Sequence, residues 1–64
     1  MNKTFLCKLR GSHCGFPAGT VMTVVSQSSK PTGYEMKKNL PSIGVKEKDL
    51  SAMSYLGYWD FTEI

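Results

Sequence analysis

Three side chains near the N-terminus have the chemistry of nucleophiles or metal ligands: Cys7, His13 and Cys14. A zinc site takes four ligands, and these side chains supply too few. His13 and Cys14 also resemble a base beside its nucleophile, but sequence neighbours on an extended segment point in opposite directions, which is the wrong geometry for a Cys-His dyad. We therefore expect no metal and no cofactor, and we expect a solvent-exposed turn histidine at position 13.

Other catalytic signatures do not occur in the sequence. It contains neither a glycine-rich phosphate loop nor a Gly-X-Ser-X-Gly motif, and no carboxylates are paired at a catalytic spacing. In 64 residues, a buried active site would also compete with the core for the same few large apolar side chains. We therefore expect a protein that is not an enzyme.

The N-terminal pattern and the cysteine content indicate a compartment. Residues 1–10 interrupt their apolar alternation with Lys8 and Arg10, so they lack the continuous apolar region of a signal peptide. No run approaches the ~20 apolar residues that a membrane helix needs. We expect a cytoplasmic protein without membrane contact, in which Cys7 and Cys14 are free thiols.

Period-two alternation predicts a first strand over residues 3–10. Phe5, Cys7 and Leu9 form its inward face. Leu6 is the one apolar residue on the outward face, where it covers a second small cluster or meets a partner. Leu6 is therefore a candidate interface residue.

A turn and a run of β-branched residues predict the second strand. Pro17 at the second position of a type II turn, with Gly19 at positive φ, reverses the chain. Residues 20–26 follow as a strand, with Met22 and Val24 inward. Because both faces of this segment carry apolar residues, we expect a central strand that is covered by a helix or curls into a small barrel.

A helix interrupted by proline is predicted after the second strand. Thr32 and Glu35 have the spacing of a capping box. Pro41 should kink or split the helix, and Gly44 should end it in the left-handed conformation. The apolar stripe occupies positions i, i+4 and i+7: Met36, Leu40 and Ile43.

An aromatic segment over residues 55–63 predicts a final strand that pairs with the first. Trp59 and Phe61 lie on its inward face, and Tyr58 faces outward as a second candidate interface residue. The whole pattern predicts one α+β domain over residues 1–64. Its antiparallel sheet has three or more strands over a short Pro-interrupted helix, with closure into an SH3-like barrel as an alternative.

Charge is unevenly distributed along the sequence. Residues 1–38 hold six basic residues and one acidic residue (+5), residues 39–64 hold two and four (−2), and the total is +3. A basic surface with an exposed aromatic ring can bind a phosphate backbone and stack on bases. The alternative without a ligand is a solvated surface on which positive and negative charges are interspersed. The candidate nucleic-acid contacts are Lys8, Arg10, Lys30, Tyr34, Lys37 and Lys38.

Three fragments resemble a class of very small, uncharacterised bacterial proteins encoded on mobile genetic elements, with SH3-like small-barrel character. The fragments are Lys3-Thr4-Phe5, Gly19 with Val24-Val25-Ser26, and Pro31. The resemblance implies a biological setting and transfers no functional residue.

These patterns together predict a non-enzymatic binding module. Its expected partner is a protein or another copy of itself, which it meets through a sheet edge or through outward residues such as Leu6 and Tyr58. The alternative is a small nucleic-acid-binding domain that uses the basic residues.

Overall fold

In the computed structural model, which describes residues 2–64, a three-stranded antiparallel sheet forms the centre of the fold. β1 (Lys3–Leu9) is the middle strand, with β2 (Val21–Ser26) on one side and β3 (Trp59–Glu63) on the other. The α+β class and the pairing of the final strand with the first are confirmed. Because β2 and β3 are the two edges, the sheet is open and does not close into a barrel.

Short helical segments follow β2 and cover one face of the sheet. Residues 2–64 contain two α-helices, α1 (Gly33–Asn39) and α2 (Leu50–Met53). Three 3₁₀ turns connect the elements: Leu40–Ile43, Glu47–Asp49 and Leu56–Tyr58. Within residues 2–64, none of the helices has the length and apolar character needed to cross a membrane.

Local sequence signals determine where α1 begins and ends, as predicted. The Thr32 side chain accepts a hydrogen bond from the Glu35 backbone N–H (3.2 Å), and the Glu35 carboxylate accepts one from the Thr32 N–H (2.9 Å). Pro41 lies in the first turn of the following 3₁₀ segment, which Gly44 ends at φ 95°. Val45 then folds back and is buried.

The core lies between the sheet and the helices. Trp59 closes it, and its indole N–H donates a 2.7 Å hydrogen bond to the Met53 carbonyl. The buried apolar residues are Phe5, Cys7, Leu9, Met22, Val24, Met36, Leu40, Val45, Met53 and Trp59. The predicted inward faces of β1 and β2 are therefore confirmed.

The structure corrects the prediction that the second strand is central. β2 is an edge strand, and its outward residues Val21 and Val25 remain 50% and 53% exposed. Apolar residues on the outer face of a strand give the same sequence pattern whether or not another element covers that face. Two apolar faces therefore do not establish that a strand is central.

The turn before β2 differs from the predicted one by one position. The Thr20 N–H donates to the Pro17 carbonyl at 3.2 Å, which makes Pro17 the first residue of the turn and not the second. Gly19 therefore occupies the third position, where its φ of 90° fits a type II turn.

Candidate interaction surfaces

On the face opposite the helices, the sheet residues are exposed apart from the half-buried Leu6, and we call this face the open sheet face. Ile64 extends this face beyond β3, because the Ile64 N–H donates a 2.9 Å hydrogen bond to the carbonyl of Thr4 in β1. The residues of the open sheet face follow from strand alternation and register: Thr4, Leu6, Lys8, Val21, Thr23, Val25, Asp60, Thr62 and Ile64.

The open sheet face has a neutral centre rich in methyl groups. Leu6 lies in the middle strand, half-buried, opposite Thr23 on β2 and Thr62 on β3. The charged residues of the open sheet face, Lys8 and Asp60, lie opposite one another at one end of it. The predicted outward position of Leu6 is therefore found, at the centre of this face.

The structure separates the six predicted nucleic-acid contacts into two groups. Lys8 and Arg10 lie at the charged end of the open sheet face. The other four, Lys30, Tyr34, Lys37 and Lys38, belong to α1 and the segment before it. Because Met36 of α1 belongs to the core, α1 lies on the covered side of the sheet, whereas Lys8 lies on the open sheet face.

The cations of β1, and Arg10 just after it, lie beside acidic residues of β3. The Arg10 Nε is 3.2 Å from an Asp60 carboxylate oxygen, and the Lys3 Nζ is 3.9 Å from Glu63. Lys8 is opposite Asp60 in the register. Lys8 and Arg10 therefore lie beside a carboxylate, which reduces the net positive charge at this end of the open sheet face.

The second group, which we call the α1 basic surface, consists of Lys30, Tyr34, Lys37 and Lys38. The Tyr34 side chain is 71% exposed, and the Lys38 Nζ lies 5.5 Å from the centre of its ring. Lys30 and Lys37 are exposed. The α1 basic surface therefore combines three cations with one accessible aromatic ring.

The one acidic residue of α1 serves the fold. The Glu35 carboxylate accepts hydrogen bonds from the Thr32 N–H (2.9 Å) and from the Ser26 hydroxyl (2.7 Å). The backbone hydrogen bond from Thr32, followed by the one from Ser26, lowers the pKa of Glu35 below its usual value. This carboxylate is therefore ionised and already bound by internal donors.

Tyr58 does not occupy the predicted position on the outer face of a strand. It ends the 3₁₀ turn Leu56–Tyr58, is half-buried, and stacks on His13 with ring centroids 3.8 Å apart. Tyr55 adds an edge-on contact at 4.9 Å. The prediction of a solvent-exposed turn histidine at position 13 is likewise wrong, because this stacking leaves His13 half-buried. Stacking between distant segments leaves no periodic pattern in the sequence.

The two thiols have different environments. Cys7 is buried in β1, and burial raises its pKa to about 11. Cys14 is exposed at the tip of a two-residue turn, where its φ of 51° and the 84° of Gly15 are both positive. This tip borders a shallow cleft of about 350 Å³ lined by Cys14, Phe16, Gly44, Lys46, Lys48 and Asp49.

No group of three or more His, Cys, Asp or Glu side chains within residues 2–64 could hold a metal ion. Comparison with protein-family models, with curated proteins and with solved structures gave no match. The resemblance to proteins of mobile elements therefore stays a prediction.

Sequence reasoning missed the partner of Arg10. The ion pair with Asp60 forms because the end of β1 adjoins the start of β3. The sequence did contain a signal for this ion pair, since the predicted pairing of the last strand with the first brings residues of opposite charge near one another. The exact register was needed to see it.

Proposed function

We propose that this protein is a non-enzymatic interaction module whose open sheet face binds protein, and that its partner is a second copy of the chain. The observation that carries the proposal is an uncovered sheet face with an apolar residue, Leu6, at its centre. Val21, Val25 and Ile64 add exposed apolar side chains at 50%, 53% and 74%.

The composition of this face supports binding over simple hydration. Four of its nine residues are apolar, and three of these four are exposed large hydrophobic residues, which are typical of interaction sites. Valine and threonine side chains are stiff at χ1, so they lose little conformational entropy when a partner covers them.

The charge distribution favours a second copy as the partner. In a two-fold dimer, residues near the axis meet their own copies, so that region must be free of like charges. Leu6, Thr23 and Thr62 satisfy this condition because they are neutral. Lys8 and Asp60, at one end of the face, have opposite signs and can each meet the other across the interface.

The size of the face limits the affinity. Three strands about 4.8 Å apart and about five residues long give a footprint on the order of 300 Å². Stable interfaces bury about 800 Å² per partner. We therefore expect a weak, reversible dimer in which two sheets pack face to face about 10 Å apart.

Sedimentation velocity tests the proposal, at protein concentrations from about 20 µM to about 1 mM. We expect the weight-average mass to rise with concentration, to depend little on salt, and to stay monomeric in Leu6→Lys. Ser51→Lys adds the same charge on α2 and should dimerise like wild type. A wild-type monomer at every concentration, or equal association of wild type and Leu6→Lys, would contradict the proposal.

The proposal also includes the setting. The location we propose is the cytoplasm, where the exposed Cys14 would stay reduced. The resemblance described above supports a bacterial mobile element as the source of the protein.

A further inference from the structure

We propose that the α1 basic surface is a second binding surface, independent of the open sheet face, and that its ligand is single-stranded nucleic acid. The inference rests on three features: cations that form no ion pair within residues 2–64, an exposed aromatic ring close to one of them, and an acidic neighbour that accepts internal hydrogen bonds.

The lysines of this surface are free to bind an anion. Within residues 2–64, the ion pairs closer than 4.0 Å are Lys3 with Glu63 and Arg10 with Asp60, and none involves Lys30, Lys37 or Lys38. Glu35 is the only acidic residue between positions 27 and 46. Its carboxylate accepts hydrogen bonds from the Ser26 hydroxyl and the Thr32 N–H, and the four lysines of this stretch leave it with a net positive charge.

The fold also holds Lys30 close to α1. The Ser26 hydroxyl that binds Glu35 lies 3.4 Å from the Lys30 carbonyl oxygen. The backbone at Lys30 therefore lies beside the first turn of the helix, and a flexible lysine side chain from there can reach the same ligand as Lys37 or Lys38.

Tyr34 makes a single strand the best match for this charge. Its ring is 71% exposed and is absent from the core, so one of its faces can take an unpaired base. Lys38, 5.5 Å from the ring centre, would then lie near the adjoining phosphate. Because every base has a π-face, this arrangement predicts binding with little sequence preference, and duplex DNA, whose bases are already stacked, should bind less tightly.

Fluorescence anisotropy with a labelled oligothymidylate tests the inference. With three phosphate contacts on a single strand, the logarithm of the affinity should fall with the logarithm of salt at a slope of about −2. Tyr34→Ala should weaken binding at least about fivefold, and Tyr34→Phe, which keeps the stacking face, should bind like wild type.

Two double variants separate a local surface from net charge. Lys37→Glu with Lys38→Glu should remove binding. Lys46→Glu with Lys48→Glu makes the same change of net charge, from +3 to −1. These residues line the cleft near Cys14 and are not part of the α1 basic surface. The second variant should retain most of the binding.

Four outcomes would overturn the inference. The first is no binding to the oligonucleotide at low salt, and the second is an equal loss of affinity in both double variants. The third is an affinity that is unchanged in Tyr34→Ala, and the fourth is tighter binding to vesicles of anionic lipid than to the oligonucleotide. Leu6→Lys should keep wild-type affinity for the oligonucleotide, so failure of dimerisation and failure of this inference are distinguishable.

Discussion

The Ser26 hydroxyl donates a 2.7 Å hydrogen bond to the Glu35 carboxylate, and this contact joins the end of β2 to the first turn of α1. Ser26 is buried, and its oxygen also accepts a hydrogen bond from the Ser28 N–H at 3.1 Å. The contact fixes α1 on the covered face of the sheet. It also turns the one carboxylate of α1 inward and leaves Lys37 and Lys38 outward.

Folding stability should depend on the ionisation of Glu35. Its folded-state pKa is lowered by the hydrogen bonds from Thr32 and Ser26, so its contribution is fully present above the unfolded-state pKa and is lost as pH falls through the folded-state pKa. Denaturant midpoints measured from pH about 7 to about 3 should fall less steeply in Glu35→Gln than in wild type. Glu47→Gln, a matched loss of an exposed carboxylate, should keep the wild-type slope. Equal slopes for Glu35→Gln and wild type would rule out this role.

Trp59 should contribute more to stability than its half-buried neighbour Phe61. Replacing Trp59 by Phe leaves the buried Met53 carbonyl without its 2.7 Å donor and opens a small cavity. We expect a loss of about 2–4 kcal/mol, measured by circular dichroism during urea unfolding. Phe61→Leu should cost less than about 1.5 kcal/mol. A smaller loss for Trp59→Phe than for Phe61→Leu would contradict the packing described here.

Substitution of Gly44 should destabilise the fold through the backbone conformation alone. Its φ is 95°, and a Cβ built there would meet no atom within 4 Å, so the cost of Gly44→Ala is conformational. We expect about 1 kcal/mol of destabilisation in thermal or urea unfolding. Gly33→Ala is the control, because Gly33 opens α1 without a positive φ and should be neutral or slightly stabilising. Equal stability of the two variants would show that the turn does not need its left-handed residue.

The two thiols should react at very different rates. Cys14 is exposed, whereas Cys7 is buried and its pKa of about 11 keeps it protonated near neutral pH. With Ellman's reagent, the native protein should release about one equivalent of thiolate quickly, and a second only on unfolding. Cys14→Ser should abolish the fast phase. Two fast equivalents in the native wild type would mean that β1 is not stably packed.

Signals within a few residues of one another predicted the local structure well. The capping box of Thr32 and Glu35, the split at Pro41 and the end at Gly44 each depend on neighbouring backbone groups, and all three are found. The same holds for the inward residues of β1 and β2, because side chains alternate along any strand.

The pairing of the last strand with the first was predicted, but the other relationships between distant segments were not. The edge position of β2, the pairing of Arg10 with Asp60 and the stacking of Tyr58 on His13 depend on strand order and register. The six candidate nucleic-acid contacts likewise fall in two places, because Lys8 and Arg10 lie in or just after β1, whereas Lys30, Tyr34, Lys37 and Lys38 belong to α1 and the segment before it.

The most direct test of the account is residue-resolved NMR of the full chain at about 50 µM and about 1 mM. If the open sheet face pairs with a second copy, concentration-dependent shifts should centre on the amides of Leu6, Thr23 and Thr62, with those of α2 unchanged. Superimposable spectra at the two concentrations, or shifts that centre away from the open sheet face, would contradict the account.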